Sequence, residues 1–196
     1  MAGYDNNLIV IGAGSAGLIA ALIATTVKAR VTLVERDRMG GDCLNTGCVP
    51  SKSLIRAARL AHEIRHADRF GIAATEPQVN FPEVMARIRE VIATIEPKDS
   101  VARYRELGVD CVLGDAVIED AHHVRVVNGA DSRLLSTRSI VLATGARPLV
   151  PPIPGLRELN PLTSDSIWSL EQLPARLLVM GGGPIGCELA QSFARL

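Results

Sequence analysis

The chain opens with an apolar run that ends in a glycine-rich turn, and this feature limits the possible folds more than any other. In "NLIVIGAGSAGLIAALIA" an apolar strand at Leu8 to Ile11 is followed by glycines in the pattern G-x-G-x-x-G and by an Ala/Leu/Ile helix. A second β-branched run, "RVTLVER", comes next. Strand, turn, helix and strand within about 30 residues form a βαβ unit, which predicts a parallel sheet. Because the first strand and the helix are apolar on all sides, both are expected to be buried.

The spacing of the glycines also predicts a binding site. The first glycine allows the tight bend, the second lets backbone N–H groups approach a pyrophosphate, and the third lets the helix pack close to the strand. Glu35 lies about 20 residues beyond the middle glycine, where an acid can bind a ribose diol. The alternative is a purely structural turn with a surface glutamate. The predicted dinucleotide site comprises Gly12, Gly14, Ser15, Ala16, Gly17 and Glu35.

The same pattern returns at the end of the sequence. "ARLLVMGGGPIGCELAQSFARL" reads as an apolar strand, a glycine turn at Gly181, Gly183 and Gly186, and a helix. It predicts a second nucleotide site. A βαβ unit without its second strand cannot bury its helix, so we expect these residues to be the first part of a longer protein. The proline-rich stretch "ARPLVPPIPGLRELNP" before it predicts a domain boundary.

Between the two turns the sequence predicts helices first and strands afterwards. Helices are expected from Pro50 to about His66, over "FPEVMARIREVIATIE" and over "PKDSVARYRELG". From Val109 the apolar period falls to about two, which predicts short strands separated by turns. The predicted fold class is therefore α/β.

Composition excludes several classes of function. Lys and Arg total 21, as do Asp and Glu, so no excess of charge favours nucleic acid or an anionic membrane as a partner. No apolar stretch approaches the ~20 residues of a spanning helix, and no signal peptide is expected. Four cysteines do not make a secreted disulfide framework.

Two of these cysteines lie close together in "GGDCLNTGCVPSK", and three interpretations are open. Cys43 and Cys48, with His62 and His66 further on, approach the spacing of a zinc finger. They could also be small core residues. In the redox interpretation, Cys48 begins a helix whose dipole stabilises a thiolate, and Lys52 adds a positive charge one turn later.

This stretch resembles the active-site signature of the flavin-dependent pyridine nucleotide–disulfide oxidoreductases, in the branch of mercuric reductase and dihydrolipoamide dehydrogenase. "IVIGAGSAG", "VTLVER", "VLATGARPLVPPIPG", "TSD" and "GGGPIGCELAQ" stand in that family's order. The resemblance implies a Rossmann-like FAD-binding domain with a parallel sheet, helices and a small antiparallel β-meander over residues 1–148. It further implies a connector over 149–172 and the first βα of a Rossmann-like NAD(P)-binding domain over 173–196.

Roles for single residues follow from the same resemblance. Cys43 would be the interchange thiol and Cys48 the thiol next to the flavin, and the two would form a redox disulfide in the oxidised protein. Lys52 would approach the flavin and pair with Glu188, which would lie near the nicotinamide. The expected FAD contacts are Gly12, Gly14, Ser15, Ala16, Gly17, Glu35, Arg36, Gly41, Asp42, Lys52, Ala116, Thr144 and Gly145, and the expected NAD(P)H contacts are Gly181, Gly183 and Gly186.

The resemblance also implies an activity for the longer protein. Electrons would pass between NAD(P)H and a small-molecule disulfide or a metal-ion substrate, through FAD and the cysteine pair. The protein would be a cytoplasmic homodimer, joined through a C-terminal domain beyond residue 196. The alternative is a flavin- or nucleotide-binding module, or a thiol redox sensor, without turnover of its own.

Some residues depart from the family pattern or stand outside it. Asp42 occupies a position where many members have a threonine, so its carboxylate is expected to turn away from the phosphates or to accept backbone N–H groups. Cys111 and Cys187 are expected in the apolar core. The four histidines, His62, His66, His122 and His123, are expected at the surface.

Overall fold

A computed structural model describes residues 3–196 and shows a mixed α/β fold. The strands are β1 (Asn6–Ile11), β2 (Val31–Glu35), β3 (Val109–Leu113), β4 (Asp115–Ile118), β5 (His123–Asn128) and β6 (Asp131–Leu142). The helices are α1 (Ser15–Thr26), α2 (Gly41–Asn45), α3 (Cys48–Arg65), α4 (Phe81–Ile95), α5 (Val101–Glu106) and α6 (Pro184–Arg195). Short 3-10 helices lie at Ala67–Phe70, Glu96–Asp99 and Ile167–Ser169.

The strands form one six-stranded sheet in the order β3-β2-β1-β6-β5-β4. β1 runs parallel to β2 and β6, and β2 runs parallel to β3. β5 is antiparallel to both β4 and β6. The long strand β6 belongs to both parts, because its second half pairs with β1 and its first half pairs with β5. The predicted parallel sheet and antiparallel meander are both confirmed.

The continuous apolar runs of β1 and β2 are explained by burial on both faces of the sheet. Val10 and Leu33 pack with Leu18 and Tyr104 on one side. Ile9 and Val34 belong to a separate cluster on the other side, together with residues of β5 and β6. Since successive strand residues point to opposite faces, a strand covered twice needs apolar residues at every position.

Helix α1 is only half buried, so the expectation of complete burial is wrong. Gly17, Leu18 and Ala21 are its buried residues. Ile19 is 54% exposed and Ile23 is 60% exposed, although both are as apolar as their neighbours. A sheet contacts one stripe of a helix, and successive helix residues are about 100° apart. Apolar composition therefore did not establish that the helix was covered on all sides.

The predicted helix over "PKDSVARYRELG" is divided at Ser100. Glu96–Asp99 forms a 3-10 helix, after which α5 begins at Val101. The Ser100 hydroxyl accepts a hydrogen bond from the Arg103 backbone N–H at 3.2 Å, which caps α5. A serine followed by a helix-forming stretch is a frequent start signal, and it begins a new helix here.

The described chain divides into two compact units, and neither is a continuous stretch of sequence. One contains the residues up to Leu44 together with Ile95–Ala146, and the other contains Asn45–Thr94 and Arg147–Leu196. The first unit holds the sheet with α1 and α5. In the second, Leu54 of α3 shares an apolar cluster with Phe81, Leu189 and Phe193. The domain limits at 148 and 172 stay a prediction.

The strand predicted before the second glycine turn is not formed. Residues 177–180 have no regular secondary structure, and Leu178 is 88% exposed. A strand is stable only when its backbone bonds a neighbouring strand, and no described strand lies beside this segment. The helix predicted after the turn is present as α6. Within residues 3–196, no helix has the length and apolar character needed to cross a membrane.

The half burial of α1 gives a stability prediction with a control on the adjacent residue. Leu18→Ala should lower the free energy of unfolding by about 2–5 kcal/mol, because it opens a cavity against the sheet. Ile19→Ala should change it by about 0.5 kcal/mol or less, because that side chain is already in water. Urea denaturation followed by circular dichroism measures both. Equal losses would contradict the observed orientation of the helix.

Candidate functional site at the first glycine turn

The first glycine turn is held by three parallel strands. The Gly12 N–H donates to the Val34 carbonyl of β2 at 2.8 Å, and Ala143, just after β6, donates to the Ile11 carbonyl of β1 at 2.8 Å. Gly12 has φ +102°, and a Cβ atom there would overlap the Ala143 carbonyl oxygen. Only glycine allows both this backbone conformation and this close approach. The turn therefore lies at the carboxyl ends of β1, β2 and β6.

The other two glycines control the start of α1. A Cβ atom on Gly17 would overlap the Gly12 carbonyl oxygen, so glycine is required there for the helix to meet the turn. Gly14 is the N-cap, with no side-chain cap and no acid in the first turn of the helix. The N–H groups of Ser15 and Ala16 belong to the first turn, which has no intrahelical acceptors, and both residues are exposed. This arrangement suits an anion such as a phosphate.

The beginning of α2 packs directly on the same turn. The Gly40 N–H donates to the Ala13 carbonyl at 2.8 Å. Gly41 has φ +53°, and a Cβ atom on it would lie 2.6 Å from the Gly14 Cα. The two backbones touch without side chains between them. Two helix starts that the sequence separates by more than 20 residues are therefore adjacent in the structure.

Thr144 and Gly145 reach this region from the end of β6, and both are exposed. A Cβ atom on Gly145 would lie 3.9 Å from the Asp42 Oδ2, so the carboxylate stands beside this backbone. Asp42 is itself exposed and lies in the first turn of α2, where a negative charge is favoured by the helix dipole. The unusual acid thus lies at the start of α2 and remains in contact with water.

Glu35 holds the turn to the end of β2, which the sequence did not reveal. Its Oε2 accepts the Ala13 N–H at 2.6 Å, and its Oε1 accepts the N–H groups of Arg36 and Asp37, both at 2.9 Å. A carboxylate has about four acceptor positions, so three are used and about one remains for a ribose hydroxyl. Glu35 is therefore both a turn anchor and a candidate ribose ligand.

Ala116 and Arg36 lie at the edge of this region. The Gly114 N–H donates to the Glu35 carbonyl at 2.9 Å, which joins the start of β4 to the end of β2. Ala116 is half-buried two residues later and packs on the apolar cluster of β5 and β6. Arg36 is exposed. The first compact unit therefore brings together most of the residues expected to bind FAD.

The two cysteines of the signature lie in successive helices. Cys43 is a half-buried free thiol in α2, and Cys48 is exposed as the first residue of α3. The predicted start of a helix at Cys48, with Pro50 in its first turn, is confirmed. Because Cys43 is a thiol in this structure, no Cys43–Cys48 bond is formed, and the redox pairing stays a prediction.

Lys52 and Glu188 do not form the predicted ion pair. Lys52 is exposed on α3 and Glu188 is exposed on α6. The ion pairs found within residues 3–196 include neither side chain. An exposed ammonium and an exposed carboxylate remain hydrated, and pairing them contributes little.

The second glycine turn repeats the local geometry of the first. Gly181 has φ +107°, close to the +102° of Gly12. Gly183 caps α6 with φ −74° and ψ 171°, as Gly14 caps α1 with φ −79° and ψ −174°. A Cβ atom on Gly186 would lie 2.5 Å from the Gly181 carbonyl oxygen. The turn therefore has the backbone conformation of the first turn without a strand before it.

The two cysteines outside the signature differ in their exposure to solvent. Cys111 is buried as predicted, and burial raises the pKa of its thiol. Cys187 is exposed, so its assignment to the core is wrong. Helix α6 turns Leu189, Ser192 and Phe193 inwards, and a residue two positions before Leu189 faces the opposite side.

The four histidines are half-buried, and none of them belongs to the buried core, in agreement with the expected surface positions. The rings of His62 and His66 lie 4.1 Å apart between centroids and are tilted by 36°, and the ring of His122 stacks on Tyr4 at 4.8 Å. Burial, followed by the charges of His66 and Arg195, lowers the pKa of His62. His123 contacts the Asp120 carboxylate at 2.8 Å. Within residues 3–196 no group of three or more His, Cys, Asp or Glu side chains is arranged to hold a metal ion.

Similarity to known proteins covers almost the whole chain. The family model described as pyridine nucleotide-disulphide oxidoreductase matches residues 6–196. The chain belongs to that family. It is 41% identical to a mercuric reductase of Streptomyces lividans over a 197-residue alignment that covers 99% of this chain and 41% of the relative. It is 37% identical to a dihydrolipoyl dehydrogenase of Chlamydia pneumoniae over 190 residues, covering 96% of this chain and 40% of the relative.

A solved structure shares the fold of this family member. It is the flavoprotein disulfide reductase RclA of Escherichia coli, described as HOCl-induced and solved as a Cu(II) complex of a mutant. The TM-score is 0.83 and the identity 28%, over 98% of this chain and 41% of that one. The chain thus spans about two fifths of the length of these relatives.

Alanine substitutions at two glycines should separate folding from binding. Gly17→Ala should destabilise the first unit strongly, because the new methyl group overlaps the Gly12 carbonyl. Gly14→Ala should leave the fold intact, because its nearest neighbour would be the Gly41 Cα at 3.8 Å. The methyl group would instead occupy the space where a pyrophosphate approaches. Thermal unfolding and FAD titration measure the two effects. Retention of FAD by Gly14→Ala would contradict the proposed position of the phosphate.

The hydrogen bonds of Glu35 predict a loss of stability even without a ligand. Glu35→Ala leaves three backbone N–H groups without this acceptor and should lower the free energy of unfolding by about 1–3 kcal/mol. Asp37→Ala, on an exposed neighbour, should change it by about 0.5 kcal/mol or less. Urea denaturation of the flavin-free protein tests this. If Glu35→Ala has the same free energy of unfolding as the unaltered protein, the carboxylate does not stabilise the turn and its remaining role is to bind a ligand.

Proposed function

We propose that this chain is the flavin- and dithiol-bearing part of an oxidoreductase that passes electrons between NAD(P)H and a substrate. The supporting observation is the meeting of the first glycine turn with Gly41, Asp42 and Thr144–Gly145 at one edge of the sheet, immediately before Cys43. In this proposal the turn binds the FAD pyrophosphate and Glu35 binds the ribose. FAD, when bound, supplies two-electron exchange between a nicotinamide and a disulfide.

The residues around this edge fit such a cofactor. The exposed N–H groups at the start of α1 offer donors to a phosphate, and Gly41 approaches so closely that a Cβ atom on it would lie 2.6 Å from the Gly14 Cα. Asp42 opposes an anion at this place. Its exposure and its position beside Gly145 support the expectation that it turns towards water. Arg36 and Ala116 would contribute to the adenosine side.

The dithiol would provide the second half of the reaction. A disulfide between Cys43 and Cys48 would accept two electrons, its S–S bond would break, and two thiolates would form, one of which takes up a proton from solvent to become a thiol. Cys48 begins α3, where the helix dipole favours a thiolate, and Lys52 adds a positive charge in the following turn. Cys43, on α2, would then be the sulfur that meets the substrate.

The second glycine turn would bind NAD(P)H. Its backbone matches the first turn at the positions of Gly181, Gly183 and Gly186, which supports a pyrophosphate site. Glu188 would act near the nicotinamide in the longer protein. Names of the relatives support two substrate classes, a metal ion such as mercuric ion or a small disulfide such as that of a lipoyl group. A cytoplasmic homodimer is part of the same proposal.

Absorbance of the FAD-loaded protein tests the proposal. Two-electron reduction without oxygen should produce a long-wavelength shoulder from a thiolate next to the flavin. Cys48→Ser should abolish the shoulder, and Cys43→Ser should show it before reduction because Cys48 can no longer be oxidised to the pair. Cys187→Ser, which removes an exposed cysteine outside the signature, is the control.

The same measurement separates the alternatives. Bound flavin without a shoulder in the unaltered protein would favour a flavin-binding module. Four titratable thiols in the air-oxidised, denatured protein would count against the disulfide. Absence of flavin binding under any condition would reject the proposal.

A further inference from the structure

Trp168 makes a connection that none of the assigned roles explains. It is the only tryptophan of the chain. Its indole N–H lies 2.7 Å from the Thr46 carbonyl oxygen and 2.8 Å from the Ser164 carbonyl oxygen. Both distances are normal for hydrogen bonds, so one donor serves two backbone acceptors. These residues all belong to the second compact unit.

Thr46 lies in the short link between the two cysteine helices. Helix α2 ends at Asn45 and α3 begins at Cys48, so the link consists of Thr46 and Gly47. Gly47 is the N-cap of α3, and its carbonyl accepts the Ser51 N–H at 3.0 Å. A donor to Thr46 therefore fixes the backbone two residues before Cys48, next to the cap of the helix that Cys48 begins.

The tryptophan is itself rigidly placed. Its ring packs against the apolar cluster that contains Leu54 of α3. On the other side, the turn before it is closed by its own hydrogen bonds. The Ser166 and Ile167 N–H groups donate to the Thr163 carbonyl at 3.1 and 3.0 Å, and the Thr163 N–H donates to the Ser166 hydroxyl at 2.9 Å. This is the "TSD" segment, for which the sequence suggested no role.

We infer that Trp168 is a positioning residue for Cys48, because its indole N–H holds the backbone that leads into α3. The inference rests on the proposed function, in which Cys48 is a reactive thiol. Without the indole donor, the Thr46 carbonyl turns to water and the first turn of α3 loosens. The Cys48 thiolate then loses part of the stabilisation that the helix N-terminus provides.

The test measures the reactivity of Cys48 alone. A Cys43→Ser, Cys187→Ser background leaves Cys48 and Cys111, and the buried Cys111 is shielded from the reagent. The rate of alkylation by iodoacetamide is recorded against pH with and without Trp168→Phe, which keeps an aromatic ring and removes the donor. We expect the profile to move to higher pH and the rate at neutral pH to fall by about two- to five-fold, because the N-terminus of α3 then stabilises the Cys48 thiolate less.

A matched variant controls for packing. Leu173→Ala removes a side chain from the same apolar cluster without touching the hydrogen bonds to Thr46 and Ser164. Its profile should coincide with that of the background protein. Equal shifts in Trp168→Phe and Leu173→Ala, or no shift in Trp168→Phe, would overturn the inference. None of these rates depends on flavin or on a disulfide, so failure here is distinct from failure of the proposed function.

A measurement on the background protein covers the case in which Trp168→Phe does not fold. In ¹⁵N-labelled protein the single indole N–H gives one resonance. Alkylation of Cys48 should shift this resonance, because the link and the cap adjust together. Alkylation of Cys187, in a Cys43→Ser, Cys48→Ser background, should leave it in place. An indole resonance that does not shift when Cys48 is alkylated would overturn the inference.

Discussion

The closeness of backbone to backbone at the first glycine turn is the constraint on which the rest of the first unit depends. Gly12 touches Ala143, Gly17 touches Gly12, and Gly41 touches Gly14, in each case without a side chain between them. These three contacts set the positions of the end of β6 and the starts of α1 and α2 at the edge of the sheet. A single methyl group at Gly12 or Gly17 would separate elements whose register is fixed by the parallel pairing.

The parts of the fold that the sequence predicted are those that depend on local pattern. The glycine turns, the helix starting at Cys48 and the buried strands β1 and β2 each follow from spacing and apolar period. The antiparallel meander was also visible as a period of two. The residues that mark these elements are neighbours along the chain, so the sequence shows where the elements lie, whereas the strands also need partners elsewhere in the chain.

The failures concern residues whose state depends on distant partners. Ile19 and Cys187 are apolar in type, yet no element within residues 3–196 covers them, and no strand of that range pairs with residues 177–180. The sequence shows Glu35 as an acid after a strand, but the hydrogen bond that its carboxylate accepts from the Ala13 N–H forms only when the turn folds back. The hydrogen bond from the Trp168 indole to the Thr46 carbonyl joins residues 122 apart in sequence, and no periodic pattern in the sequence predicts it.

The shared strand β6 has a consequence for the order in which the chain can fold during synthesis. Leu8 pairs with Ser139, so more than 130 further residues must be synthesised before β6, the second neighbour of β1, is available. Until then β1 has one open edge, and an apolar open edge is where chains pair wrongly with one another. By contrast, β4, β5 and the first half of β6 are contiguous and can form a meander on their own. Growth of that meander into β6 then brings the closing strand to β1, and the first glycine turn, beside which Ala143 donates to the Ile11 carbonyl, is completed last.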